Sequence, residues 1–403
     1  MIVLKLRFKG FGGDLVQQSL KEIASFAKGK GISKADISEG GSNLCIRYGE
    51  LYTTYGQVIG DVQSKTHVPK FESVLSKIHD VIIPASGETQ IDIATASCVL
   101  HDDIILGGDL NILSHSENGV WLAYYLSSAK KFEIAQLAQG NSVVHLYSSQ
   151  LKDLKINKPS IEEQTKIASF LSAVDEKISQ LTQKHELLSQ YKQGIMQKLF
   201  SQQLRFKADD GSEFGEWDEK LLSEIAKKQA LKNKDGSITE VLTNSAIRGI
   251  IKQSDYFERE IVTESNLNGY FIVSKNDFVY NPRISVHAPV GPIKRNKDCI
   301  GVMSPLYTVF TVNMGNLTYL EYFFESNFWH DYVKSVANSG ARHDRMNITN
   351  KDFFEMPVLY PCLVEQTKIA NFLSAIDQKI GIVAQQIAQA KQWKKGLLQQ
   401  MFV

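Results

Sequence analysis

A long internal repeat constrains this chain more than any other feature. The run Pro159-Ser-Ile-Glu-Glu-Gln-Thr-Lys-Ile-Ala-Ser-Phe-Leu-Ser-Ala-Val-Asp-Glu-Lys-Ile178 returns at an offset of 202 as Pro361-Cys-Leu-Val-Glu-Gln-Thr-Lys-Ile-Ala-Asn-Phe-Leu-Ser-Ala-Ile-Asp-Gln-Lys-Ile380. The match continues without a gap to Phe200 and Phe402, with 20 of 42 positions identical. Two shorter pieces repeat as well. Leu6-Arg-Phe-Lys9 matches Leu204-Arg-Phe-Lys207 at an offset of 198, and Leu20-Lys-Glu-Ile-Ala24 matches Leu222-Ser-Glu-Ile-Ala226 at 202, so the linkers in the two halves are unequal. The organisation is therefore two similar frames around two dissimilar inserts: globular segments at 1–158 and 204–360, helical segments at 159–203 and 361–403. Divergent inserts in a duplicated frame are expected when each insert reads a different target, although drift after duplication gives the same pattern.

The repeated segments carry a coiled-coil spacing. Steps of four and three join Ile167, Leu171, Val174, Ile178, Leu181, His185, Leu188, Lys192, Ile195 and Leu199. In the second copy they join Ile369, Leu373, Ile376, Ile380, Val383, Ile387, Ala390, Lys394, Leu397 and Met401. A sustained apolar seam of this kind predicts long helices, and the absence of internal proline allows them to continue from just after Pro159 and Pro361. A helix over 163–200 would extend about 57 Å. The expected partner of each helix is the other copy, antiparallel and related by a pseudo-twofold, with Ile167, Leu171, Val174, Ile178, Leu181, Leu188, Ile369, Leu373, Ile376, Ile380, Val383 and Ile387 forming the interface. Lys192 and Lys394 fall on the seam in both copies. Either they fix register or their stems line the seam while the ammonium groups reach water, and the second reading is favoured. Gly194 and Gly396 mark either close helix contact or fraying ends.

Composition narrows the class. Lys+Arg at 45 against Asp+Glu at 44 gives a formal charge of +1, which excludes a dominant basic or acidic tail but leaves room for local patches. Hydrophobic residues at 43% indicate a globular chain. No apolar run is long enough for a membrane helix, and the N-terminal apolar stretch is too short for a signal peptide. Four separated cysteines without a CxxC pair fit reduced thiols and predict a cytoplasmic protein.

The globular segments read as α+β. Val81-Ile-Ile-Pro84, Asp103-Ile-Ile-Leu106, Asp277-Phe-Val-Tyr280 and Leu306-Tyr-Thr-Val-Phe-Thr-Val312 are expected strands; residues 120–126 and 317–326 are expected helices. No P-loop, dinucleotide fingerprint or metal-ligand spacing is present, and Gly10-Phe-Gly-Gly13 matches poorly. His101-Asp-Asp103 reads as solvated turn residues and Asp175-Glu-Lys177 as surface charge. The expected absence of catalytic residues and of a metal points to a binder.

Binding candidates lie in loops. Residues 278–297 hold Arg283, Lys294, Arg295 and Lys297 with no acid, together with Asn281, Ser285 and His287. A second basic loop holds Arg342, His343 and Arg345 near Gly340. The first segment offers Arg47 and Tyr48; Ser86, Gly87, Glu88 and Thr89; and Gln139, Asn141 and Ser142. Arg bridges guanine edges, Asn and Gln bridge adenine, and Gly and Ser seat phosphates, so these loops together favour duplex DNA. Two other classes stay open on the residues alone: a duplicated coiled-coil clamp whose globular domains bind proteins, and an enzyme with an unrecognised site.

The run from Pro159 to Ser179, the run Tyr191-Lys-Gln-Gly-Ile-Met-Gln-Lys-Leu-Phe200, and the linker from Leu204-Arg-Phe-Lys207 to Phe214-Gly-Glu-Trp217 closely resemble the conserved regions of specificity subunits of type I restriction–modification systems. Ser86-Gly-Glu-Thr89 and Asn281-Pro-Arg-Ile-Ser285 look like segments of that family's target recognition domains. Asn281-Pro-Arg283 also resembles the Asn-Pro-Pro-aromatic motif of amino-methyltransferases, but its later positions differ. The resemblance covers essentially the whole chain. It implies two target recognition domains that each read half of a bipartite double-stranded DNA site, and an antiparallel helical spacer that sets the gap and docks two modification subunits. It implies restriction subunits in the full complex, no cofactor on this chain, and S-adenosylmethionine, ATP and Mg on the partners alone.

Overall fold

The computed structural model describes residues 5–255, 264–338 and 344–402. Two long helices dominate it, Ile161–Phe200 and Leu363–Met401. Both begin two residues after a proline, where a missing backbone N–H is harmless. Among the described residues no helix is long and apolar enough to cross a membrane. The chain divides into two compact units, one of residues 1–183 with 384–403, the other of residues 184–383.

In the first unit a five-stranded sheet runs in the order Ala24–Lys28, Leu110–His115, Val81–Pro84, Ser97–Val99, Val58–Ile59. Val81–Pro84 is buried along its whole length, which is why it reads in sequence as an unbroken apolar run. The two-residue period of a strand sends alternate side chains to opposite faces. Val81 and Ile83 join a core with Trp121, Tyr124 and Leu126 of the helix Gly119–Ser128, while Ile82 joins a second core with Ile46, Leu51 and Ile112. The expected strand at 103–106 is shorter, Ile105–Leu106, because Asp103 turns the chain at φ 63°.

The second unit follows the same logic. Its four-stranded antiparallel sheet runs Ala226–Lys228, Thr308–Val312, Phe278–Tyr280, Ile293–Arg295. Phe278 and Tyr280 pack with Tyr319, Phe323 and Phe324 of the helix Leu317–Glu325, whereas Val279 and Val309 face a smaller core with Leu242 and Met303.

The repeated residues form the joint between arm and sheet in each unit. Arg7 grips Glu163 with two hydrogen bonds of 2.9 and 2.5 Å, and Arg205 grips Glu365 with two of 3.2 and 2.8 Å. Both carboxylates are almost fully buried. Gln164 accepts from the backbone of Asn118 at 3.0 Å, and Gln366 from that of Asn316 at 2.8 Å. Each of these asparagines in turn caps the helix that covers its sheet. Phe8 meets Phe170, and Phe206 meets Phe372, edge to face at 5.4 Å. The repeat thus encodes one joint twice.

The seam is apolar as its spacing predicts. Ile167, Leu171, Val174, Leu181, Ile369, Leu373, Ile376 and Val383 are buried; Ile178, Leu188, Ile380 and Ile387 are half-buried. In the first unit the start of one arm clusters with Leu397 and Met401 at the end of the other; in the second, Met196 and Leu199 cluster with Ile369 and Leu373. The two arms are therefore antiparallel. Gly194 and Gly396 are not close-contact sites, since an added Cβ meets nothing within 4 Å.

Two expectations about the arm charges are corrected. The seam lysines are not free at the surface: Lys394 Nζ lies 2.6 Å from Asp175, and Lys192 Nζ 2.8 Å from Asp377 and 2.9 Å from Glu325. Asp175 is not mere surface charge, because it also accepts from the Tyr124 hydroxyl, as Asp377 accepts from that of Tyr322. Each ammonium further lies over the ring of the same tyrosine, at 5.2 Å for Lys394 on Tyr124 and 4.9 Å for Lys192 on Tyr322. Each seam lysine is thus largely covered and met by an acid of the other arm, so its ammonium does not simply reach into water.

Candidate nucleic-acid interface

In the first unit three candidate loops are brought together. Arg47, Tyr48 and Glu88 line one cleft of about 800 Å3, along with Tyr52, Asp109 and residues 31–34. Ser86–Gly87 pairs as a short strand with Val144–His145, which places the loop of Gln139, Asn141 and Ser142 next to it. Gln139 and His145 close that loop with reciprocal backbone bonds of 2.9 and 2.7 Å. Gln139, Asn141, Ser142 and Glu88 are exposed.

Others among the candidates are buried or already hydrogen-bonded within the unit. Ser86 and Gly87 are buried, and the Ser86 hydroxyl bonds His145 Nδ1 at 3.0 Å, so neither presents a side chain at the surface. Thr89 caps a helical turn by accepting from the backbone of Asp92 at 3.1 Å. Arg47 is paired at 3.1 Å with Glu50, a buried carboxylate that also takes the Ser64 hydroxyl and the Arg47 backbone N–H. Apart from the paired Arg47 and Glu50, the charged groups lining the cleft are Lys34 against Asp36, Glu88 and Asp109, so it is not a basic surface.

In the second unit the two basic loops meet. Arg283 and Arg345 are bridged through their backbones, with Ile284 N–H donating to Asp344 at 3.0 Å and Met346 N–H to Pro282 at 2.9 Å. Asp344 sits between the two guanidiniums, 3.9 Å from Arg283 and 3.8 Å from Arg345. Arg283 is strongly exposed; Ser285 and His287 lie on the same exposed loop. Asn281 positions rather than presents: its side chain donates to Asn244 O at 2.9 Å and accepts from Arg283 N at 3.0 Å.

Lys294 and Arg295 are opposed by acids from elsewhere in the unit. Both face acids of the helix Leu317–Glu325, Lys294 at 3.8 Å from Glu325 and Arg295 at 3.8 Å from Glu321, and Arg295 also bonds Asn276 and Thr318. The loop looked unopposed because its counter-charges lie on that later helix. Arg342 and His343 lie outside the described residues. Exposed side chains beside these loops were missed: Val143 and Tyr147 in the first unit, Val286 and Ile247 in the second. Apolar residues in loops leave no signal in sequence, since nothing distinguishes them from core. Among the described residues no cluster of His, Cys, Asp and Glu could hold a metal ion.

Two mixed sheet-and-helix units joined through long antiparallel arms, each with gathered surface loops, define a duplicated recognition protein. The family model of the type I restriction modification DNA specificity domain matches it twice, at residues 14–190 and 215–392, and the chain belongs to that family. It is 27% identical over 390 residues to the putative type I restriction enzyme MjaX specificity subunit of Methanocaldococcus jannaschii, covering 91% of this chain and 83% of that one. The MjaVIII specificity subunit of the same organism is 24% identical over 306 residues, 69% of this chain and 68% of the relative. The S subunit of the type I restriction-modification system of M. genitalium shares the fold, with a TM-score of 0.59 at 15% identity over 100% of this chain and 99% of that one.

Proposed function

We propose that this specificity chain is the non-catalytic reader of a bipartite double-stranded DNA target. Each unit takes one half-site through its gathered loops. The arms set the gap and provide the docking surface for two modification subunits, and restriction subunits complete the assembly. S-adenosylmethionine, ATP and Mg belong to those partners. The observation that carries this reading is the convergence of loops from separate parts of the sequence in each unit, on a frame whose duplication matches the family twice. Half-sites on one face of B-DNA lie about 34–36 Å apart, and a helix of 40 residues extends about 60 Å, so the arms are long enough to serve as the ruler. Near-neutral charge supports a division in which partner subunits supply much of the phosphate contact.

The test uses the chain assembled with its modification subunits. Arg283→Ala combined with Arg345→Ala should weaken specific duplex binding, with assembly intact. The expected cost is about 1–3 kcal/mol for each bidentate hydrogen-bonded pairing with a base edge that the substitutions remove. Unchanged specific binding would remove both residues from the reading role.

A further inference from the structure

The loop that carries Asn281 ends in a side chain that no internal contact explains. Ser285 and Ala288 exchange backbone hydrogen bonds of 3.0 and 3.1 Å, leaving Val286 and His287 as a two-residue tip. Val286 is 97% exposed. The base beneath it is braced. Asn281 N–H donates to Pro292 O at 2.9 Å, and the Tyr280 hydroxyl donates to Val290 O at 2.9 Å, with Val290 and Ala288 buried. Gly291, at φ +82°, sits where a Cβ would lie 2.1 Å from Asn281 O, so only glycine lets the two sides of the loop close. The bridge to Arg345 holds the outer side.

An apolar side chain held in water at the end of a braced loop is pre-organised for a surface outside this chain. The neighbouring chemistry indicates which surface. Arg283 is 68% exposed on the same loop, and the backbone bridge brings Arg345 beside it, with Asp344 3.9 and 3.8 Å from the two guanidiniums. A rigid apolar tip beside a strongly exposed arginine suits a DNA groove, with a phosphate within reach at the rim. The apolar group that major-groove base edges offer is the 5-methyl of thymine. We propose that Val286 is a specificity-determining residue that packs against a thymine 5-methyl group in the half-site taken by the second unit. This assignment rests on the bipartite-reader function proposed above.

The test again uses the chain assembled with its modification subunits, on duplexes carrying the mapped target. Each thymine of the half-site is replaced singly by deoxyuridine, which deletes only the methyl group. One such replacement should weaken wild-type binding about four-fold, the worth of one buried methyl. Val286→Ala should bind the thymine and deoxyuridine duplexes nearly equally, while Val286→Ile should keep the discrimination. Because the residue is on the surface, neither variant disturbs the core. If Val286→Ala responds to every replacement as the wild type does, the assignment is overturned. If it loses affinity for all duplexes alike, the tip acts as a wedge or backbone contact and the assignment is likewise overturned. If the wild-type assembly has no split target, the bipartite reading falls and takes the assignment with it.

Discussion

Lys192 occupies an apolar seam, yet its ammonium meets Asp377 and Glu325 and lies over the Tyr322 ring. Burial pushes its pKa down, but the two carboxylates more than offset this and hold it above the ordinary lysine value. Burial, then the hydrogen bond to Asp377, raises the Tyr322 hydroxyl well above its ordinary 10.0, and the same causes raise Tyr124 beside Asp175. All three groups hold their protons more tightly folded than unfolded. Their stabilisation is complete below pH about 10 and is lost as pH rises through the folded values. Denaturant midpoints should therefore fall as pH rises above about 10, and Lys192→Met with Tyr322→Phe should flatten part of that slope. An unchanged slope would show that the cluster does not couple to folding. The lysines were legible as seam positions. Their partners were not, because Asp377 is 185 residues from Lys192 and Asp175 is 219 from Lys394. Likewise Lys294 and Arg295 counted as an unopposed basic loop until the acids of the later helix came alongside.

The arm helices were legible almost to their ends, because a 4-3 apolar spacing without proline leaves a chain few alternatives. Leu171 and Leu373 are fully buried, one in each unit's core. Leu171→Glu or Leu373→Glu should cost about 3–5 kcal/mol in unfolding experiments and abolish assembly with modification subunits. Full assembly by the double variant would contradict the arm model. The joint was visible only as repeated letters. Its meaning lies in a bidentate arginine on a buried carboxylate, which Glu365 strengthens by also accepting from Trp217 Nε1 at 3.0 Å. Arg205→Ala leaves that charge buried without its cation and should destabilise the second unit by about 2–4 kcal/mol. Arg205→Lys should recover only part of this, since an ammonium cannot reproduce the fork. Equal stability of Lys and Arg variants would show that charge alone matters.

At the scale of the molecule, the segments legible in sequence are not the compact units. Each unit is built on the beginning of one arm and the end of the other, so Leu397, Met401 and Phe402 complete the core around Trp121 and Tyr125. A repeat gives the offset between copies but not which end meets which; only the antiparallel pairing of the seams decides that. The recognition segments were legible as variable inserts and as sheet-and-helix mixtures. Which loop residues face outward was not, because exposure depends on pairings such as Ser86–Gly87 with Val144–His145. The central claim is that one chain carries two independent readers. It is tested most directly by expressing the chain with its modification subunits in a methylation-free host and mapping modified bases genome-wide, then repeating the map after exchanging residues 1–158 for another insert. The account predicts a single split motif with a fixed gap, and after exchange a change in one block only. A change in both blocks, or modification without a split motif, would contradict it.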